Sequence, residues 1–96
     1  MKVLVIDVAA AAEKLDLIEL LLTVMGAPQW HGRNLDALDE SVAYGGNDTV
    51  EPPYSVKFIN AGNLSPDLKH ELERIKEIFT DARNHEGRQV SCQIEN

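Results

Sequence analysis

A chain of 96 residues with 44% hydrophobic content suffices for one domain, near the lower end of what folds without disulfides or metal, so a single modest core is expected over residues 1–96. The net charge of −7 and the sequence pI near 4.8 argue against sequence-independent nucleic-acid binding, which needs Lys and Arg to displace counterions from phosphates. A basic partner suits this charge better, and the lone Cys92, with no second cysteine to pair with, fits a reducing, cytoplasmic setting.

The run Lys2-Val-Leu-Val-Ile-Asp7 is β-branched and aliphatic, and its continuous apolarity predicts a central, parallel strand. It is a poor signal peptide, because Asp7 interrupts it and Lys2 alone supplies basic charge; no other segment approaches membrane-spanning length. From Ala9 to Met25, the residues Ala11, Leu15, Ile18, Leu22 and Met25 repeat at spacings of four and three, which predicts a long amphipathic helix ended by Gly26.

Pro28 and Gly32 then bracket Trp30 and His31 in a segment unsuited to continuing a helix, since proline lacks an amide donor and glycine is costly in a helix interior. Asn34 stands where a helix wants its N-cap, and Leu35, Leu38 and Val42 mark the core stripe of a helix running to about Tyr44. Gly45 to Pro53 is rich in turn-forming residues and is expected to be the most mobile loop.

Tyr54 to Asn60 alternates Tyr54, Val56 and Phe58, a second strand, and Ala61 to Leu64 leaves room for a short extra turn of helix. Ser65, Pro66 and Asp67 have the order of a strong helix start: cap, first-turn proline, first-turn acid. Leu68, Leu72, Ile75, Phe79 and Ala82 follow as the buried stripe, with Glu71, Glu73, Lys76, Glu77 and Arg83 on outer faces and an end by Gly87. Val90, Cys92 and Ile94 alternate with polar residues in a half-covered edge strand. Strands separated by helices predict an α/β fold: a small three-stranded parallel sheet packed with three to four helices through right-handed crossovers.

The helix after Asn34 carries more negative charge than folding asks for. At about 100° per residue, Asp36 and Glu40 fall away from the apolar stripe, one turn apart, with Asp39 on its shoulder. Like charges at this spacing cost an isolated helix a few tenths of a kcal/mol, roughly 0.2–0.5 by the usual pair values. Patterning alone leaves two readings about equally open, a solvated outer face and a binding face.

The residues Gly32-Arg-Asn-Leu-Asp-Ala-Leu38, followed by Asp39 and preceded by Pro28 and the aromatic Trp30, closely resemble the signature of the barstar family, intracellular inhibitors of barnase-type secreted ribonucleases. The match runs from Pro28 to Leu38, and the length and element order are compatible with the family from end to end. The resemblance implies a barstar-like fold and a one-to-one complex with a basic secreted ribonuclease or ribonuclease toxin. It further implies a chain that is a monomer when free, needs no cofactor or metal, binds neither nucleic acid nor membrane, and performs no chemistry itself.

In the family an acidic residue on this helix enters the ribonuclease active site in place of a substrate phosphate; Glu40 matches that position, where the family residue is usually Asp. Asp36 matches the second acidic contact. Trp30 replaces a Tyr and would pack on the partner beside Gly32, whose missing side chain permits close approach. His31, Asn34, Asp39 and Tyr44 complete the implied surface, with Asn34 also serving as the cap, and Asp81 on the last helix approximately matches a further acidic contact. Against the binding reading, the alternative for Trp30 is a loop aromatic folded back on its own core, and Arg33 suits a local ion pair.

Two alternatives stand beside this: a barstar-like interaction module for a non-ribonuclease toxin or a regulatory partner, since Glu40 replaces the usual Asp, and, weaker, a metal-dependent enzyme. Oxygen donors at Asp36, Asp39 and Glu40 with the imidazole of His31 are a ligand set for a divalent ion. Catalytic sites usually gather groups from several elements, however, and His70 and His85 lie far along the chain; neither a phosphate-binding glycine loop nor a nucleophile motif is present.

Overall fold

In a computed structural model of the protein, residues 2–27, 32, 34–44 and 52–96 are described, Tyr44 by its backbone alone. In chain order they form β1 (Lys2–Asp7), α1 (Lys14–Met25), α2 (Leu35–Tyr44), β2 (Tyr54–Ile59), α3 (Pro66–His85) and β3 (Val90–Ile94). The strands make one parallel sheet in the order β1-β2-β3, with Lys2 opposite Tyr54 and Tyr54 opposite Val90. This is the expected α/β fold with three helices. Residues 45–51, expected to be a mobile loop, lie outside the described residues, and residues 61–64 form a hydrogen-bonded turn, with Leu64 N–H donating to Ala61 O, rather than a helix.

The central strand is β2, and the expectation for β1 is corrected: it lies at the sheet edge, and Val3 and Val5 are 53% and 54% exposed. Leu4, Ile6, Val56, Phe58, Val90 and Cys92 face the helices in one apolar cluster, while no described helix packs on the opposite sheet face. There Val3 and Val5 neighbour Ser55 and Lys57, and Ser91 Oγ donates to Ser55 Oγ at 3.0 Å. The valines that make the run continuously apolar therefore reflect β-propensity at these positions rather than burial on both faces.

Helix α1 starts at Lys14, five residues later than the apolar spacing predicts, because side chains on either side of its start take the backbone amides there. Asp7 Oδ1 accepts from Ala9 N–H at 2.9 Å, and Asp16 Oδ2 accepts from the N–H groups of Ala12 and Glu13, both at 2.9 Å, the latter half of a capping box with Glu13. The buried stripe is Leu17, Ile18, Leu21, Leu22 and Met25; Leu15, expected in the core, is exposed. Gly26 closes the helix at φ 74°, a conformation that glycine takes without penalty, and its N–H bonds back to Thr23 O at 3.1 Å.

These hydrogen bonds hold the Asp7 and Asp16 carboxyls below their ordinary range, chiefly through the backbone N–H groups of Ala9 and Ala12 respectively. A carboxyl with a lowered folded pKa adds stability above the unfolded carboxylate range and loses it as pH falls through the folded value. Asp16→Ala is therefore expected to be less stable than wild type at pH 7, and the gap should narrow as pH falls through the lowered value of the Asp16 carboxyl, read by denaturant titration over a series of acidic pH values. A gap of the same size in acid would mean that the carboxylate charge contributes nothing.

Helix α3 begins as expected, with Ser65 Oγ accepting from Leu68 N–H at 3.3 Å and Pro66 in the first turn. Its predicted stripe, Leu68, Leu72, Ile75, Phe79 and Ala82, is buried throughout, and Phe79 meets Tyr54 edge-on with ring centroids 6.3 Å apart. Glu71 corrects the outer-face expectation: it is 4% exposed and takes Arg74 Nη1 at 3.5 Å, because α3 packs against both α2 and β3 and so is covered over a wider arc than its apolar stripe. Cys92 is buried, and burial pushes its thiol up to about 12, which makes it an inert core residue.

Candidate functional site

Helix α2 is built to turn its acids outward. Asn34 Oδ1 accepts from Ala37 N–H at 2.8 Å and Asn34 O accepts from Leu38 N–H at 3.0 Å, so the residue caps the first turn as expected. Leu38 and Val42 are completely buried and Leu35 partly so, which fixes the rotation of the helix and leaves Asp36, Asp39 and Glu40 exposed. At the other end, Arg88 Nε donates to Val42 O at 3.2 Å across 46 residues of chain. No basic residue lies in the last turn of α2, so this guanidinium supplies positive charge to helix-end carbonyls that would otherwise lack it.

Helices α2 and α3 enclose a cleft of about 200 Å³. Asp36 and Asp39 line it from α2, Glu77 and Asp81 from α3, with Leu35 and Ile78 between them. Asp81, which lies 42 residues beyond Asp39, is thereby brought to the same cleft. Glu40 lies one turn beyond Asp36 on the exposed side of α2 and does not line the cleft. Among the described lining residues Arg74 brings the one positive charge, and its guanidinium is already paired with Glu71. Four carboxylates against that engaged guanidinium give the described part of this face a negative potential that attracts cationic groups.

Two charged lining residues, Glu77 and Arg74, are not among the candidate site residues of the sequence: Glu77 reads there as an outer-face residue of the last helix, and nothing in its spacing ties it to α2. Gly32 also has a reason internal to the chain: a Cβ there would lie 2.9 Å from Ala37 Cβ, closer than side chains tolerate. Trp30, His31 and Arg33 lie outside the described residues, as does the side chain of Tyr44. Among the described residues no group of three or more His, Cys, Asp or Glu is arranged to hold a metal ion, and no helix is long and apolar enough to cross a membrane.

The order of elements, the parallel sheet and the acidic α2 are those that the motif at residues 28–38 implies, and a family model described as Barstar (barnase inhibitor) matches residues 1–95. The chain belongs to the barstar family. Barstars are inhibitors of barnase-like ribonucleases rather than enzymes, which assigns this chain to an inhibitor family. No curated protein matches it. In this chain Asp36 and Asp39 of α2 share a cleft with Glu77 and Asp81 of α3.

Proposed function

We propose that this chain is an immunity protein that blocks the active site of a small, cationic secreted ribonuclease in a one-to-one complex, within the cytoplasm of the cell that makes it. Glu40 occupies the place of a substrate phosphate among the enzyme's catalytic and basic residues, and Asp36 makes the second acidic contact. Asp39 and Asp81 extend the negative face, and Trp30, His31, Gly32, Asn34 and Tyr44 complete the proposed set of partner contacts. The observation that carries this reading is the convergence of Asp36, Asp39, Glu77 and Asp81 from two helices on one exposed cleft, in a chain of barstar family.

Stability does not require that arrangement, since exposed carboxylates contribute little to folding, and a face of one charge sign suits capture of a basic enzyme. Barnase with barstar is the reference system for such steering, so the expectation of fast association that slows as salt screens the face is carried over from it. The test is titration of the purified chain into an RNA-cleavage assay of barnase-type ribonucleases at low and high salt. Loss of activity in proportion to added chain, complete at one equivalent, supports the reading. A well-folded chain that inhibits none of these enzymes would assign the acidic face to a partner outside the ribonucleases.

A further inference from the structure

Large exposed hydrophobic side chains are confined, among the described residues, to β1 and α1: Val3, Val5, Leu15, Leu20 and Val24. Leu20 and Val24, 37% and 40% exposed and one helical turn apart, line a groove of about 470 Å³ together with Ala10 and Ala11 of the turn that follows β1. That size lies within the roughly 300–1,000 Å³ range of formed binding pockets. Among the described residues, every charged one lining the groove is acidic: Asp7, Asp16 and Glu19. The groove shares no residue with the α2–α3 cleft.

Two of these acids are held in fixed positions by the bonds that shape the start of α1, and the bonds to Asp16 use Oδ2 alone. Glu19 caps nothing in the helix start and stands exposed beside the apolar lining. An apolar groove edged by negative charge selects a ligand with the complementary pattern, aliphatic at its centre and cationic at its flanks. Anionic lipid and small anions are repelled, and a second copy of this chain, itself at −7, would bring the same three carboxylates against its twin.

The geometry points to this groove as a docking site for a basic amphipathic segment of another protein, whose aliphatic side chains lie against Leu20, Val24 and Ala11 while flanking Lys or Arg meet Asp7, Asp16 and Glu19. This second surface is independent of the α2 face. A protein bound at the groove leaves the α2–α3 cleft open.

The test uses the full chain, labelled with nitrogen-15, and two synthetic twelve-residue peptides followed by amide shifts. One peptide alternates pairs of leucine with pairs of lysine; in the other, serine replaces every leucine. The leucine–lysine peptide is expected to shift amides within residues 7–24 and to bind at least about tenfold more tightly than the serine–lysine peptide. Leu20→Ser and, separately, Glu19→Lys should each weaken it about tenfold. Both sites are exposed, and Glu19→Lys leaves the apolar lining intact, so a folding failure of one variant does not remove the other.

Equal affinity of the two peptides would overturn the inference by showing attraction to charge alone. Shifts centred on α2 and α3 would overturn it by placing the peptide in the other cleft. Concentration-dependent sedimentation of the free chain, abolished by Leu20→Ser, would make a second copy the occupant.

Discussion

Asp36→Ala and Glu40→Ala are each expected to cost the complex with a barnase-type ribonuclease about 2 kcal/mol or more, while leaving unfolding within about 0.5 kcal/mol of wild type. Both side chains are exposed, so neither supports the core. Their effects on α2 itself nearly cancel: Asp36 is favourably placed at the positive end of the helix, but the pair repels across one turn. In the complex the balance differs, because a carboxylate desolvated against a cationic site leaves unpaired charge on the partner when it is removed. The double variant should lose less than the sum of the single losses if both acids meet one cationic cluster. Calorimetric titration read beside urea denaturation separates the two effects. Unchanged affinity in both single variants would move the binding face off α2.

The largest loss of stability is expected from Phe79→Ala, about 3–5 kcal/mol. Phe79 is wholly buried on α3 and packs edge-on against Tyr54 of the central strand, so its removal opens a cavity between helix and sheet and ends an aromatic contact. A small domain commonly has only about 5–15 kcal/mol in total, and the variant should unfold at markedly lower urea concentration with an unchanged slope. Leu38→Ala on α2 follows the same logic with the about 2–5 kcal/mol usual for leucine. Leu35→Ala should cost less than Leu38→Ala, because Leu35 is only partly buried. A loss for Phe79→Ala no larger than about 1 kcal/mol would show that the core closes over the site.

Much of this fold is legible in the chain because local signals agree with one another. The order Ser65, Pro66, Asp67 and the stripe from Leu68 to Ala82 place α3 to within a residue or two, and Asn34 places the start of α2. Where expectation and structure part, two local signals compete. Ala9 to Ala12 have helix-forming side chains, yet the carboxylates of Asp7 and Asp16 claim the amides there, and a turn results. In β1, a valine at every second position is indistinguishable by composition from a strand buried on both faces; its edge position depends on the order of the strands.

The candidate site divides in the same way. Asp36, Asp39 and Glu40 are readable because a ten-residue helix with a clear stripe fixes where its other residues point. That Glu77 and Asp81 face the same cleft is a tertiary fact, set by how α3 crosses α2, and no spacing within either helix contains it. Glu71 is the opposite case, an acid that reads as solvated and is in fact enclosed beside Arg74.

The tethering of α2 at both ends also bears on how such a protein can change partners. Asn34 fixes where the helix begins, Arg88 reaches back from beyond α3 to its last turn, and Leu38 and Val42 set its rotation. None of these residues lies on the outward face at 36, 39 and 40. On the proposed binding role of the three outward acids, recognition and folding are encoded at separate positions, so drift or selection can rewrite residues 36, 39 and 40 without re-solving the packing beneath them. The scaffold of such a helix stays in place while its outer face changes partner.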